Sequence, residues 1–237
     1  MSNVEPEFDG LSDEYERLLR DPIRDRFTGS STDFFHVRKR DLIRDYFRRR
    51  HADTSGLSYL DVGCGKGELL GLLKADFAEA AGCDPSQGML SASSLTGVDI
   101  RVQSAPDEIP YDDARFDLVT AVCVYHHVPP PLRDKLTSEV RRVLKPDGVF
   151  AIVEHNPYNP ITKLITSRTP VDADAILLSR GEARTILQRA TLRIEHQPFF
   201  LFLPEGLYSK FGALESALEC IPLGGQYAVF GRASAGE

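Results

Sequence analysis

The chain has 237 residues, 42% of them hydrophobic and 27% charged, which suits one sizeable α/β domain with enough apolar material for a packed core. A net charge of −7 works against a long nucleic-acid groove, because an acidic surface repels phosphates. The four cysteines, Cys64, Cys83, Cys123 and Cys220, form no Cys-x-x-Cys pair, and no histidines cluster at ligand spacing, so neither a metal site nor a disulfide framework is expected, and a reducing cytoplasm fits.

Met1 to Gly10 is acidic and polar, unlike a signal peptide, and no apolar run is long enough to span a membrane. Asp13 to Arg20 reads as a short helix that Pro22 interrupts. Phe34, Val37, Ile43 and Phe47 recur at helical spacing and predict a second helix over Asp33 to Arg50 with a basic polar face. The loop Asp53 to Gly56 closes an N-terminal helical cap, residues 1–56. From Leu57 the texture changes. Strands are predicted at Leu57–Val62, Ala78–Asp84, Val98–Gln103, Phe116–Val124 and Val149–Val153. Helices fall between them at Gly67–Phe77, Pro85–Leu95 and Leu132–Val143. The apolar run Phe116 to Val124 suits a strand covered on both faces. Such alternation implies right-handed βαβ units and a doubly wound, Rossmann-like α/β sandwich over residues 57–237.

Beyond Glu154 the pattern loosens, and residues 155–178 are expected to hold insertions that shape a substrate pocket. Ser179 to Ala190 predicts a capped helix, with Glu182 three residues after Ser179. Leu192 to Leu203 and Gln226 to Arg232 predict two final strands and an antiparallel edge.

The first strand ends in Asp61 and runs into Gly63-x-Gly65-x-Gly67 before a helix. Glycines let a backbone turn tightly and approach a ligand, and the helix start offers free N–H groups. Alone, such a loop serves a dinucleotide, a nucleoside or simple packing. Its spacing departs from the dinucleotide pattern because Glu68 follows Gly67, and no Gly-Lys-Ser/Thr ends it as in a P-loop. Asp84 closes the second strand beside this loop. There it can take both hydroxyls of a ribose or, more plainly, cap the helix after Pro85.

The segment Leu60-Asp61-Val62-Gly63-Cys64-Gly65-Lys66-Gly67 resembles motif I of the class I S-adenosylmethionine-dependent methyltransferases. The resemblance continues in order through Gly82-Cys83-Asp84-Pro85-Ser86 with Met89, Gln103-Ser104-Ala105-Pro106, Phe116-Asp117-Leu118-Val119 to Tyr125-His126-His127-Val128, and Leu144-Lys145-Pro146-Asp147-Gly148. It is similar to the type 11, small-molecule branch. The resemblance implies a seven-stranded, mostly parallel sheet with one antiparallel strand near the edge. It implies S-adenosylmethionine as cofactor and S-adenosylhomocysteine as product. Gly63, Gly65 and Gly67 would approach the methionine part and ribose, and Asp61 would orient the loop and face the methionine amino group. Asp84, with Pro85, would take the ribose; Met89 would cover adenine, Ser104 and Ala105 would border it, and Val122 and Cys123 would lie beside the sulfonium.

Methyl transfer is an in-line displacement, so positioning of the acceptor carries much of the catalysis, and an oxygen acceptor gains from a general base. His126, His127 and His155 lie at the carboxyl ends of strands four and five, where ligands bind in such sheets. They are the candidate bases, against a plain packing role. Tyr125 and Tyr158 are candidates for the acceptor pocket or its rim. Arg38 and Lys39 would face a carboxylate or simply solvent. The expected function is methylation of a small molecule at oxygen, by a monomer or homodimer, with no nucleic-acid partner. The alternatives are a nicotinamide-dependent oxidoreductase, which lacks support from a Tyr-x-x-x-Lys pair here, and a non-catalytic cofactor-binding protein of the same fold.

Overall fold

A computed structural model describes residues 14–19, 21–28 and 33–234. The expectations for Met1 to Gly10 and for the ends of the first helix lie outside these residues. Short helices α1 (Tyr15–Leu18) and α2 (Pro22–Thr28) precede α3 (Asp33–Arg48). The core then runs β1 (Ser58–Val62), α4 (Glu68–Leu73), β2 (Glu79–Asp84), α5 (Gln87–Ser91), β3 (Asp99–Val102), β4 (Phe116–Val122), α6 (Pro130–Val143) and β5 (Leu144–His155). It continues with α7 (Pro160–Thr166), α8 (Arg180–Arg189), β6 (Leu192–His196), β7 (Phe199–Phe200), α9 (Glu205–Phe211), α10 (Glu215–Leu218) and β8 (Gln226–Ala233).

The sheet order is β3-β2-β1-β4-β5-β8-β6, with β7 also paired to β8. Strands β1 to β5 pair in parallel, and β8 runs antiparallel to β5, β6 and β7. The antiparallel strand therefore sits one position in from the edge. The long final strand expected over Leu192 to Leu203 is broken at Gln197-Pro198, because proline cannot donate to a ladder. Seven strand positions are thus filled by eight segments. All five residues of β1 are buried, as a central parallel strand covered on both faces requires.

Two apolar layers sandwich the sheet. On one face α6 (Leu136, Val140, Val143) and α8 (Ala183, Ile186, Leu187) pack with Leu60, Val62, Val119 and Ile152. On the other, α3 (Phe34, Ile43, Tyr46, Phe47) and α4 (Leu69, Leu70, Leu73) pack with Tyr59, Leu118 and Phe230. The Tyr46 and Phe230 rings stack at 4.3 Å, so α3 shares its core with the sheet. Phe199 and Phe200 are buried on opposite faces. Among the described residues no helix is long and apolar enough to cross a membrane.

Candidate active site

The carboxyl ends of β1, β2, β4 and β5 carry the side chains that the sequence singled out. Gly63, Gly65 and Gly67 all adopt left-handed backbone, with φ of 68°, 56° and 85°. Space matters as much as φ at Gly63, where an added Cβ would meet Val124 Cγ2, just past β4, at 2.5 Å. Gly67 is the N-cap of α4, so the loop delivers the N-terminus of that helix to the same edge. The Met89 methyl lies 3.6 Å from where a Cβ on Gly65 would stand, which places Met89 over the loop.

Asp84 ties the loop to the next turn. Its carboxylate accepts from the N–H of Gly65 at 2.9 Å and of Ser86 at 2.8 Å. The capping role considered for Asp84 belongs to Ser86, whose hydroxyl accepts from the Met89 N–H at 3.1 Å. Pro85 links the two and is half-buried. Asp61 is buried and accepts from the Thr120 hydroxyl at 2.6 Å; Thr120 in turn accepts from the Tyr59 hydroxyl at 2.9 Å. Burial pushes the Asp61 carboxyl up to about 7, against the Thr120 hydrogen bond and the Lys39 cation.

Val122 ends β4, and Cys123 follows in left-handed backbone, φ 58°. Lys39 Nζ lies 3.5 Å from the Cys123 sulfur and Gln226 Nε2 3.6 Å from it. Burial favours the neutral thiol, but Lys39 and His155 outweigh it and bring Cys123 down to about 6. Lys39 is therefore no solvated helix residue; it reaches under the site. Arg38 is buried too. It pairs with Glu215 and Tyr208, and its guanidinium lies 3.6 Å from the Tyr208 ring centroid.

His126, His127 and His155 come together. The His126 ring centroid is 4.2 Å from that of His127 and 5.2 Å from that of His155. His126 is fully buried; Nδ1–H donates to Glu154 Oε2 at 2.5 Å, and Nε2 faces Asp172 at 3.5 Å. Burial disfavours the imidazolium, but Glu154 and Asp172 outweigh it, so His126 is raised well above the usual histidine range. Burial and the His126 cation push His127 down to about 4. His155 Nδ1 lies 3.4 Å from Gln226 Nε2, while the Gln226 carbonyl oxygen is buried without a hydrogen-bond partner.

The remaining candidates fall elsewhere. Ser104 is exposed, donates to Glu108 at 2.5 Å and borders a cleft of about 550 Å³ that runs to Lys135 and Arg142 on α6. Ala105 is half-buried, and its segment joins the site through the Gln103 N–H, which donates to the Asp84 carbonyl at 3.0 Å. Tyr125 belongs to the core instead of the pocket: its ring is fully buried and its hydroxyl meets Thr137 at 2.8 Å. Tyr158 is 68% exposed. Reasoning from the sequence missed Glu154, Asp172 and Gln226. Glu154 alone left a signal, as a carboxylate closing the apolar run Val149 to Val153.

Residues 60–152 match the family model described as a methyltransferase domain. The chain is 32% identical over 124 residues to a ubiquinone biosynthesis O-methyltransferase of Alkalilimnicola ehrlichii, covering 49% of each chain. It is 31% identical over 147 residues to an Arabidopsis thaliana tRNA (carboxymethyluridine(34)-5-O)-methyltransferase, covering 62% of this chain and 35% of that one. The chain spans about half the length or less of the curated relatives it matches. In fold it is similar to a Thermotoga maritima S-adenosylmethionine-dependent methyltransferase, with a TM-score of 0.68 at 18% identity, covering 96% of this chain and 99% of that one.

Proposed function

Since residues 60–152 form a class I, S-adenosylmethionine-dependent methyltransferase domain, we propose that the protein methylates a small molecule at an oxygen atom. The observation that carries the reading is the three-glycine loop in left-handed backbone, clasped to Asp84 through the Gly65 N–H. It is a cradle that side chains would fill, and it fits a nucleoside with a methionine tail. When bound, S-adenosylmethionine supplies an activated methyl group on a sulfonium.

The chain's own residues do the rest. Asp84 accepts hydrogen bonds from the ribose hydroxyls, and Asp61 faces the cationic amino group. Met89 covers adenine, with Ser104 and Ala105 at its border. Val122 and Cys123 wall the reacting edge. His155 takes the acceptor's proton. It suits that role better than His126, whose two ring nitrogens face Glu154 and Asp172. The acidic charge favours a small acceptor over RNA, despite the likeness to a tRNA-modifying enzyme.

Calorimetry on the purified protein tests this. S-adenosylhomocysteine should bind at one site, and NADH should leave nicotinamide fluorescence unchanged. Asp84→Ala removes charge-assisted hydrogen bonds worth about 1.5–3 kcal/mol, so affinity should fall about 10- to 100-fold while the circular dichroism stays native. Binding of neither S-adenosylmethionine nor S-adenosylhomocysteine would sink the reading.

A further inference from the structure

Three side chains of metal-ligand type converge behind the cofactor edge, from two chain segments far apart in sequence. His126 and His127 stand in the turn after β4, and Asp172 ends the short 3-10 segment Pro170–Asp172. Asp172 Oδ1 lies 3.5 Å from His126 Nε2 and 3.7 Å from His127 Nε2, and one ligand atom from each residue falls within 4.8 Å of the others. These gaps exceed the roughly 2.7–3.2 Å of a good N–H···O hydrogen bond. The two gaps to Asp172 come close to the spacing that a shared ion imposes. With bonds of about 2.0–2.1 Å, a tetrahedral ion sets its ligand atoms about 3.3–3.4 Å apart.

The second shell has the matching form. His126 Nδ1–H donates to Glu154 Oε2, which leaves Nε2 as the nitrogen facing Asp172. Glu154 is itself fixed, because its other oxygen accepts from the Tyr125 N–H at 2.7 Å. A carboxylate that orients a histidine whose far nitrogen binds metal is a recurring arrangement in metal sites.

We infer that His126, His127 and Asp172 hold a divalent transition-metal ion of the zinc class, with Glu154 as the outer carboxylate that orients His126. Two imidazoles and one carboxylate suit such an ion better than magnesium or calcium, which take oxygen ligands. Three protein ligands leave a fourth position open to a water or a substrate oxygen. Resting on the proposed function, that position receives the acceptor's hydroxyl. There the ion would favour loss of its proton to His155; the electron pair left on the oxygen would attack the methyl carbon as the carbon–sulfur bond breaks and its pair returns to sulfur, leaving S-adenosylhomocysteine.

The test is cobalt binding by the full chain, stripped with a chelator and dialysed. One equivalent of Co²⁺ should give visible d–d absorption of tetrahedral intensity, and Zn²⁺ should displace it. Asp172→Asn and His127→Ala should each lower affinity at least about 100-fold, and Glu154→Gln about 10- to 100-fold. His196→Ala, on β6, should change nothing. The inference is overturned if no stoichiometric Co²⁺ binds, or if Asp172→Asn and His127→Ala, native by circular dichroism, bind Co²⁺ as tightly as the parent. S-adenosylhomocysteine calorimetry on the same stripped sample separates the two readings. Nucleoside binding without Co²⁺ binding removes only the ion; the reverse removes the proposed function and leaves the ion.

Discussion

Asp61 carries the clearest pH signature among the residues of the cradle. Its carboxyl is raised to about 7 in the folded chain by burial, so the fold bears a growing cost as pH rises from the ordinary carboxylate range towards 7. A ligand that brings a cationic amino group favours the ionised form and offsets that cost. Affinity for S-adenosylhomocysteine should therefore climb between pH 6 and pH 8, by up to about tenfold per unit below the midpoint. Calorimetry at several pH values reads this directly, and Asp61→Asn should flatten the profile; an unchanged slope in that variant would assign the titration to another group. The residue types of the cradle were legible in the sequence, since glycine, aspartate and methionine each declare a local need. The partners of the histidines were not. Glu154 falls just past the predicted strand Val149–Val153, and Asp172 lies in a stretch without periodicity, so nothing local announced that both face His126.

At the scale of elements, the junction between β1 and α4 is the most constrained. Gly63 combines a left-handed backbone with a Val124 methyl 2.5 Å from any added Cβ. A non-glycine residue pays roughly 1–2 kcal/mol for that backbone alone, and Val124, stiff at χ1, cannot rotate away cheaply. Gly63→Ala should lower stability by about 2–4 kcal/mol in denaturant titration. Gly63→Ala combined with Val124→Ala should regain part of that loss, a non-additivity that a double-mutant cycle measures. Purely additive losses would locate the strain in the backbone alone. Elements with strong local signals came through well: the Ser179 capping box forms as expected, with Glu182 donated to by the Ser179 N–H at 2.8 Å. The helix after β1 tightens into a 3-10 turn over Lys74–Asp76 and so nearly fills its expected length, whereas the helix after β2 ends at Ser91, short of the expected Leu95. The sequence leaves Arg38 and Lys39 open between a carboxylate and solvent because their partners, Glu215 and Cys123, are distant in sequence.

Across the whole molecule, Glu195 on β6 is a junction between layers. It accepts from the Tyr46 hydroxyl of α3 at 2.6 Å and from Arg50, in the turn just past that helix, at 3.2 Å, and from Arg193 and Arg232 at 2.6 and 2.8 Å. Burial alone would raise its carboxyl, but Arg232 and Tyr46 outweigh it and hold it at about 2. A carboxyl depressed in the fold contributes stability above the unfolded value near 4.5 and loses it as pH falls towards 2. Glu195→Gln should therefore cost about 1–3 kcal/mol at neutral pH. The gap to the parent should close between pH 4.5 and the acid limit, as chemical denaturation at stepped pH would show; a gap independent of pH would mean that shape, not charge, makes the junction. Doubly wound order was legible here because alternating elements leave few ways to pack, whereas a bridge from α3 to β6 leaves no trace in either segment.

The position of β8 has a consequence for the newborn chain. Of the described strands it leaves the ribosome last, yet it lies between β5 and β6 and pairs with β7 as well. During synthesis β5 and β6 therefore wait with open hydrogen-bonding edges, the kind of surface that recruits foreign strands. Until Gln226–Ala233 emerges, Gln226 is also missing from its place opposite His155. The nascent protein cannot bring Gln226 beside His155 before it has sealed this seam.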